Sequence, residues 1–350
     1  MVTTNQIKTR AYELGFELCG VAPARAFPEL RFLASWLDSG YAGEMHYMTR
    51  TADSRKDVRT VLPTARTVIA LGTVYNVDRP YSIQNDDPNC AGISRYAWGC
   101  DYHTVIGDRT KTLLEWMQAT NDGPFDAKTY VDTGPVQERV YAQHAGLGWI
   151  GKNTCLINPD LGSWLFLSEI ICSLPLETDA PSFDQCGTCS LCLEACPTQA
   201  IVEPWVLDAS RCVSYLTVEL KGEIPELLRE PIGTNVYGCD ICQEVCPWNE
   251  TAERSIDKAW QPTKIFDQPK LAELWKQTDD SLQSVVKSSA MSRAGLKGLR
   301  RNIAVALGNS QTAESEEALS ELGSDDSRSD HIVDKHVSWA RSKLQQKDQK

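Results

Sequence analysis

Thiols at fixed spacing carry the clearest chemistry in this chain. Eight of its thirteen cysteines fall in two runs. The first is Cys186-x-x-Cys189-x-x-Cys192-x-x-x-Cys196-Pro197. The second is Cys212 followed by Cys239-x-x-Cys242-x-x-x-Cys246-Pro247. Eight thiolates can hold two [4Fe-4S] clusters, and in two-cluster ferredoxins the last cysteine of one run ligates the other cluster. That rule assigns Cys186, Cys189, Cys192 and Cys246 to cluster one, and Cys196, Cys212, Cys239 and Cys242 to cluster two. Two all-thiolate zinc sites could use the same residues. Zinc ribbons rarely carry a run of this form, so one-electron transfer is the expected chemistry.

The remaining cysteines carry weaker signals. Cys19, Cys155 and Cys172 sit in apolar, strand-like settings and read as core residues. Cys90 lies in a polar loop without an assigned role, and Cys100, just before Asp101-Tyr102-His103, stays ambiguous. The segment from Asp101 through His103 to Gly107 is close to an Asp-x-His-x-x-Gly box that gives a histidine to cobalt, but the glycine comes one residue late. His103 therefore reads as structural or near a substrate. His46, His144, His331 and His336 form no metal-spaced pair. No glycine-rich fingerprint follows a strand, which leaves a nicotinamide or flavin site unsupported.

These residues must be held by something, and 350 residues suffice for two or three domains. Residues 1–178 alternate helix-like and strand-like segments: a helix near 7–14, buried strands at 66–75, 127–131 and 164–172, and helices at 102–117 and 135–145. This part is expected to be an α/β (α+β) domain. Residues 179–250, rich in Cys, Pro and Gly, read as a ferredoxin-like domain held together by its metal. Residues 251–350 turn helical, with amphipathic stretches at 296–309 and 331–344 and an exposed acidic linker expected at 312–330.

The formal net charge of −12 excludes a chain that is basic all over. Residues 287–301 nevertheless carry five cations and no acid. Arg293, Lys297, Arg300 and Arg301 are the candidate phosphate contacts there, against the plainer reading of a solvated helix face. No apolar run is long enough for a membrane span, and the first residues lack a secretory h-region, so a cytoplasmic protein without membrane attachment is expected.

The order of motifs goes further. Tyr130-Val-Asp-Thr-Gly-Pro-Val-Gln-Glu-Arg139 precedes Ala145-Gly-Leu-Gly-Trp-Ile-Gly-Lys-Asn153. The cysteine runs follow, with Ser214-Tyr-Leu-Thr217 and Gly238-Cys-Asp-Ile-Cys-Gln243 among them. From residue 7 to the C-terminal helices the chain resembles the epoxyqueuosine reductases, cobalamin-dependent iron–sulfur enzymes of queuosine-tRNA maturation. It is similar more distantly to reductive dehalogenases.

The resemblance implies that the N-terminal domain binds base-off cobalamin and that the clusters pass electrons to cobalt. An external low-potential donor would supply them. The substrate would be a tRNA with a GUN-type anticodon carrying epoxyqueuosine, held in part by a C-terminal α-helical HEAT-like repeat module. Asp132 matches the acidic residue proposed as proton donor, and a carboxyl beside an apolar corrin should have a raised pKa. Its plainer role is a helix N-cap in the DTGP turn.

By the same resemblance, Arg55, Asp132, Gly151, Lys152, Asn153, Ser214 and Gln243 are the cofactor-binding candidates. Gly146, Gly148 and Gly151 would admit a large planar ligand, and Lys152 and Asn153 would donate to corrin amides or a phosphate. Arg55 lies in a segment similar to Arg-x-Asp-Pro, with Val58 in place of the proline. Trp98, Tyr102, Tyr141 and Trp149 are candidates to stack on the substrate base. Cluster two would face the corrin, since the SYLT segment follows Cys212 directly. A small-molecule reductase and a non-enzymatic electron carrier are the competing readings. The basic tail argues against the first and the long α/β part against the second.

Overall fold

The computed structural model describes residues 1–287, 289–320 and 330–347. Its central sheet has four strands: β1 (Leu18–Pro23), β2 (Thr67–Val74), β3 (Ala127–Tyr130) and β4 (Leu165–Cys172). They lie in the order β1-β2-β4-β3, and every neighbouring pair is antiparallel. The arrangement is therefore α+β and not a parallel α/β sheet.

Alternation along β4 explains how both faces are covered. Phe166, Ile170 and Cys172 pack with Ile7 and Ala11 of α1 (Thr4–Glu13) and with Ile106, Leu113 and Met117 of α2 (Tyr102–Thr120). Leu165, Leu167 and Ile171 face the other way, towards Val140 and Tyr141 of α3 (Glu138–His144). Asp101 caps α2, its carboxylate accepting the His103 N–H, and so fixes where Tyr102 and His103 emerge. The helix expected at 135–145 begins only at Glu138. Arg55 Nη1 donates to the Val136 carbonyl at 2.9 Å, and the Gln137 side chain donates to the carbonyls of Leu30 and Arg55. These tertiary bonds hold 131–137 as an irregular loop.

In the cysteine-rich segment each run carries a one-turn helix, Leu191–Glu194 with Cys192 and Ile241–Glu244 with Cys242. The C-terminal part is helical: α4 (Leu271–Lys276), α5 (Asp279–Lys287), α6 (Gly295–Ser310), α7 (Ala313–Ser320) and α8 (His331–Lys347). α6 and α8 meet closely at Gly308, where a Cβ would lie 2.8 Å from Ala340 Cα. The expected linker at 312–330 is corrected by α7. Ala318 and Leu319 are buried there, and the Thr312 hydroxyl accepts the Ser315 N–H. Residues 321–329 of that stretch lie outside the described residues.

The boundaries expected at 178 and 250 are crossed by packing. Ala91, Ile93 and Ala97 share one core with Val236, Tyr237 and the C-terminal helices, and Gly92–Ile93 pairs in parallel with Asn235–Tyr237. Among the described residues no helix is long and apolar enough to cross a membrane.

Candidate redox and catalytic site

The fold gathers the eight cysteines into two groups of four. Cys186, Cys189, Cys192 and Cys246 line a recess of about 380 Å³ with Trp248 and Pro247. Cys196, Cys212, Cys239 and Cys242 line a second, larger cleft. Cys246 thus stands with the first run, as crossed ligation requires. Among the described residues no three His, Cys, Asp or Glu side chains close on a single ion. Burial pushes the Cys246 thiol up to about 11, so its thiolate needs the positive charge of metal beside it.

The segment 146–153 braces these groups from behind. Lys152 Nζ donates to the carbonyls of Gly187 (2.7 Å) and Cys189 (2.8 Å). This corrects the expectation that Lys152 reaches a corrin amide or a phosphate: its donors hold the cluster-one loop. Asn153 Nδ2 donates to the Cys242 carbonyl at 3.2 Å, and Asn153 lines the larger cleft. The glycines serve packing within the chain. A Cβ on Gly148 would lie 2.3 Å from the Ile157 carbonyl, and one on Gly151 2.4 Å from Ile157 Cδ1. Close approach is needed as expected, but to the chain's own residues.

The larger cleft, open in part to solvent, spans about 1170 Å³, and the second group of thiols surrounds part of it. Leu165 and Leu167 of β4 and Leu156 give it an apolar wall, with Ile201 and Val213 among the other lining residues. Its polar members include Asn153, Ser163, Ser214, Gln243 and Arg139, and Ser163 Oγ donates to Gln243 Oε1 at 2.9 Å. Cys155, expected in the core, lines this cleft and interacts with Cys242.

Asp132 stands near this cleft on the loop before α3. Its backbone is left-handed, with φ 58°. Tyr102 Oη donates to Asp132 Oδ2 at 2.9 Å, and His103 Nε2 lies 3.5 Å from the same oxygen. His103 Nδ1 is 2.8 Å from Asp101 Oδ1. Tyr96, a cleft residue, stands 6.1 Å from the Tyr102 ring, and the charge of Arg139, another cleft residue, acts on Asp132.

Asp132 caps no helix. Its own N–H is received by Glu138 Oε1 at 2.5 Å. Desolvation raises its pKa, but the hydrogen bonds from His103 and Tyr102 outweigh it and the net shift is downward. The shift thus runs opposite to the raised carboxyl expected, and the bond to His103 is the largest influence that lowers it. The His103 pKa is raised, first by its bond to Asp132.

Arg55 is not a solvated arginine. Its Nε donates to Thr51 Oγ1 at 2.9 Å while Nη1 holds Val136, so it clamps the Asp132 loop. Trp149 and Tyr141 are only 1% exposed, and Trp98 Nε1 donates to the Ile93 carbonyl. Of the four aromatic candidates only Tyr102 lies beside Asp132, stacked on Phe166.

The basic stretch divides. Arg293 is exposed and forks onto Glu219, with contacts of 3.0 and 2.8 Å, over the Tyr47 ring. Lys297 is 79% exposed and reaches Asp330 at 2.7 Å. Arg300 and Arg301 are corrected to buried structural residues. Arg300 Nη1 donates to the Trp275 carbonyl, and its Nε reaches Asp279. Arg301 is 1% exposed and donates to the carbonyls of Leu216, Leu220 and Gly222. Helical periodicity turned both inward, where carbonyls left without helical partners needed donors.

Two acids outside the expected set stand out. Glu169 lies on β4 and Glu138 opens α3, both beside Asp132. A carboxyl inside the otherwise apolar run WLFLSEIIC was the one visible signal.

Sheet, paired thiol groups and adjoining acid define an iron–sulfur oxidoreductase. Residues 185–249 match the 4Fe-4S double cluster binding domain, and residues 55–133 match the family described as Epoxyqueuosine reductase QueG, DUF1730. The chain is 40% identical to an epoxyqueuosine reductase of Xanthomonas campestris pv. campestris, covering 96% of this chain and 94% of the relative. It is 38% identical to the Escherichia coli K12 enzyme, covering 96% and 88%. The chain belongs to the epoxyqueuosine reductase family. Two solved relatives share its fold. One is an epoxyqueuosine reductase with a tRNA-Tyr epoxyqueuosine-modified stem loop (TM-score 0.87, 30% identity, 97% of this chain and 89% of that one). The other, from Bacillus subtilis, has its catalytic aspartate loop swung out of the active site (TM-score 0.85, 29% identity, 97% and 90%).

Proposed function

We propose that this chain reduces epoxyqueuosine in tRNA to queuosine, with electrons entering at cluster one and leaving from cluster two. The observation that carries the reading is the place of Asp132, held by Tyr102 and His103 beside a cleft lined by the four cluster-two cysteines. The relative solved with a modified tRNA stem loop supports RNA as substrate, and the relative with a catalytic aspartate loop supports Asp132 as the acid.

The reaction takes two electrons and two protons. Both carbon–oxygen bonds of the epoxide break, a carbon–carbon double bond forms, and the oxygen leaves as water. Cobalamin, which the family implies, supplies low-potential cobalt chemistry at carbon when bound. The cleft fits such a group. Leu165 and Leu167 offer an apolar face for a corrin, and Asn153, Ser214 and Gln243 offer polar atoms for its peripheral amides. Arg55 acts on this site through the Asp132 loop.

The chain's own residues manage the protons. Asp101 holds His103 Nδ1, which turns Nε2 towards Asp132. A proton on His103 passes to Asp132 Oδ2 and from Asp132 to the opening oxygen. The Asp132 side chain is 62% exposed, so water recharges the pair. Arg293 and Lys297, on the HEAT-like helical part, meet RNA phosphates; Arg300 and Arg301 do not.

The test mixes cluster- and cobalamin-loaded protein, a low-potential reductant and epoxyqueuosine-containing tRNA, and follows the nucleosides by mass spectrometry. Queuosine is expected. Its absence with both clusters intact and cobalamin bound would overturn the reading.

A further inference from the structure

Asp132 holds a backbone conformation that L side chains rarely adopt. Something must keep it there. Its carboxylate meets Tyr102 and His103, but these contacts are made by the side chain and leave the backbone free to turn. Two backbone contacts hold it: the Thr133 N–H donates to the Val131 carbonyl at 2.5 Å and closes a tight turn across Asp132, and the Asp132 N–H points into Glu138 Oε1 at 2.5 Å, the one contact that ties this turn to the body of the fold. Glu138 is fixed in turn. It opens α3, while Arg55 and the Gln137 side chain tie down the two residues before it.

Glu169 stands behind Glu138. It lies on β4, on the face shared with Leu167, and is 1% exposed. No donor of the described chain reaches either of its oxygens. Glu138 is the side chain that faces them, close enough to share a proton with one.

We propose that Glu138, braced by Glu169, is a positioning residue. It receives the Asp132 N–H and so fixes the left-handed turn that presents the Asp132 carboxylate to Tyr102 and His103. The inference rests on Asp132 being the acid. The charged and titratable groups facing Glu138 are Asp132, Glu169, Arg139, Arg55 and Tyr102. Burial, and then the Asp132 charge, push Glu138 up to about 8, and burial raises Glu169 as well. With its carboxyl held protonated, Glu138 still accepts the Asp132 N–H at Oε1, a role that a glutamine can imitate.

Two variants separate the acceptor from mere bulk. Glu138→Met fills the space without an acceptor, and Glu138→Gln keeps one. In the cluster-loaded protein, Glu138→Met should speed hydrogen exchange at 131–136 by about tenfold or more while β4 stays protected. With cobalamin and tRNA supplied, its kcat should fall roughly 100-fold at a nearly unchanged KM. Glu138→Gln should restore both protection and turnover. Unchanged exchange in Glu138→Met, or a Glu138→Gln as impaired as Glu138→Met, overturns the proposal. So does an unprotected Asp132 amide in the unaltered protein, a measurement that needs no variant. Asp132→Asn serves as the control. If it keeps full turnover, the acid assignment fails, while the exchange data still report on the Glu138 contact.

Discussion

Tyr102 gives its hydroxyl proton to Asp132 Oδ2 across 2.9 Å, and it does so from the first turn of α2. His103, next in the chain, approaches the same oxygen, and the cap residue Asp101 steadies His103 from behind. Three consecutive residues at one helix start thus organise an acid contributed by a distant loop. The helix N-terminus adds its own positive field, which favours the ionised form of Asp132.

This arrangement makes a prediction about pH. His103 has its pKa raised and Asp132 has its pKa lowered, so the usable proton is lost as pH rises through the His103 value, above 6.5. In His103→Gln the largest lowering influence on Asp132 is gone, and the proton must sit on Asp132 itself. Turnover should drop by roughly 10², and the alkaline limb of kcat should move to lower pH. A limb that stays in place would exclude His103 as the proton carrier.

Much of this was legible beforehand because metal ligation and strand burial leave local marks. Cysteine spacing foretold the two groups of four, and apolar runs marked β2 and β4 within two residues. Side-chain direction and tertiary satisfaction were not legible. Arg300 and Arg301 looked like an RNA face because charge runs usually are solvated, yet the carbonyls of Trp275 and Leu216 drew them inward. Lys152 looked like a ligand donor, yet the cluster-one loop needed its amine. The Asp132 pKa was misjudged because burial was weighed without the hydrogen bonds from Tyr102 and His103. Antiparallel pairing was hidden as well, since β3 and β4 are neighbours in space only through a long connection.

Cys246 offers a second prediction. It follows Cys242 closely in sequence but lines the recess of Cys186, Cys189 and Cys192. Cys246→Ala should therefore damage cluster one and leave cluster two, giving about half the iron with one cluster signal retained in electron paramagnetic resonance. Loss of the cluster held by Cys196, Cys212 and Cys239 alone would show that the ligation is not crossed.

The basic residues can be sorted by experiment. Arg301→Ala strands three buried carbonyls and should cost about 2–4 kcal/mol of stability. Lys297→Ala, at an exposed ion pair, should change stability by less than about 0.5 kcal/mol. It should instead weaken tRNA binding and reduce the salt dependence of log K by roughly one unit. A thermally normal Arg301→Ala with a reduced salt slope would return Arg301 to the RNA face.

Glu169 makes the last prediction, one of stability. Burial, and then the Glu138 charge, raise its pKa well above 4.5. Between the unfolded value and the folded one the native state holds a proton that the unfolded chain has released. Stability therefore falls as pH rises across that window. Glu169→Gln keeps the shape and the neutral state and has no proton to lose. The two proteins should have similar thermal midpoints near pH 5. The variant should then lead by several degrees near pH 9, at about 2–4 °C per kcal/mol for a chain of this size. Parallel curves from pH 5 to 9 would mean that Glu169 is ionised throughout in the folded protein. The carboxyl behind Glu138 would then carry a full charge that Arg55 must balance.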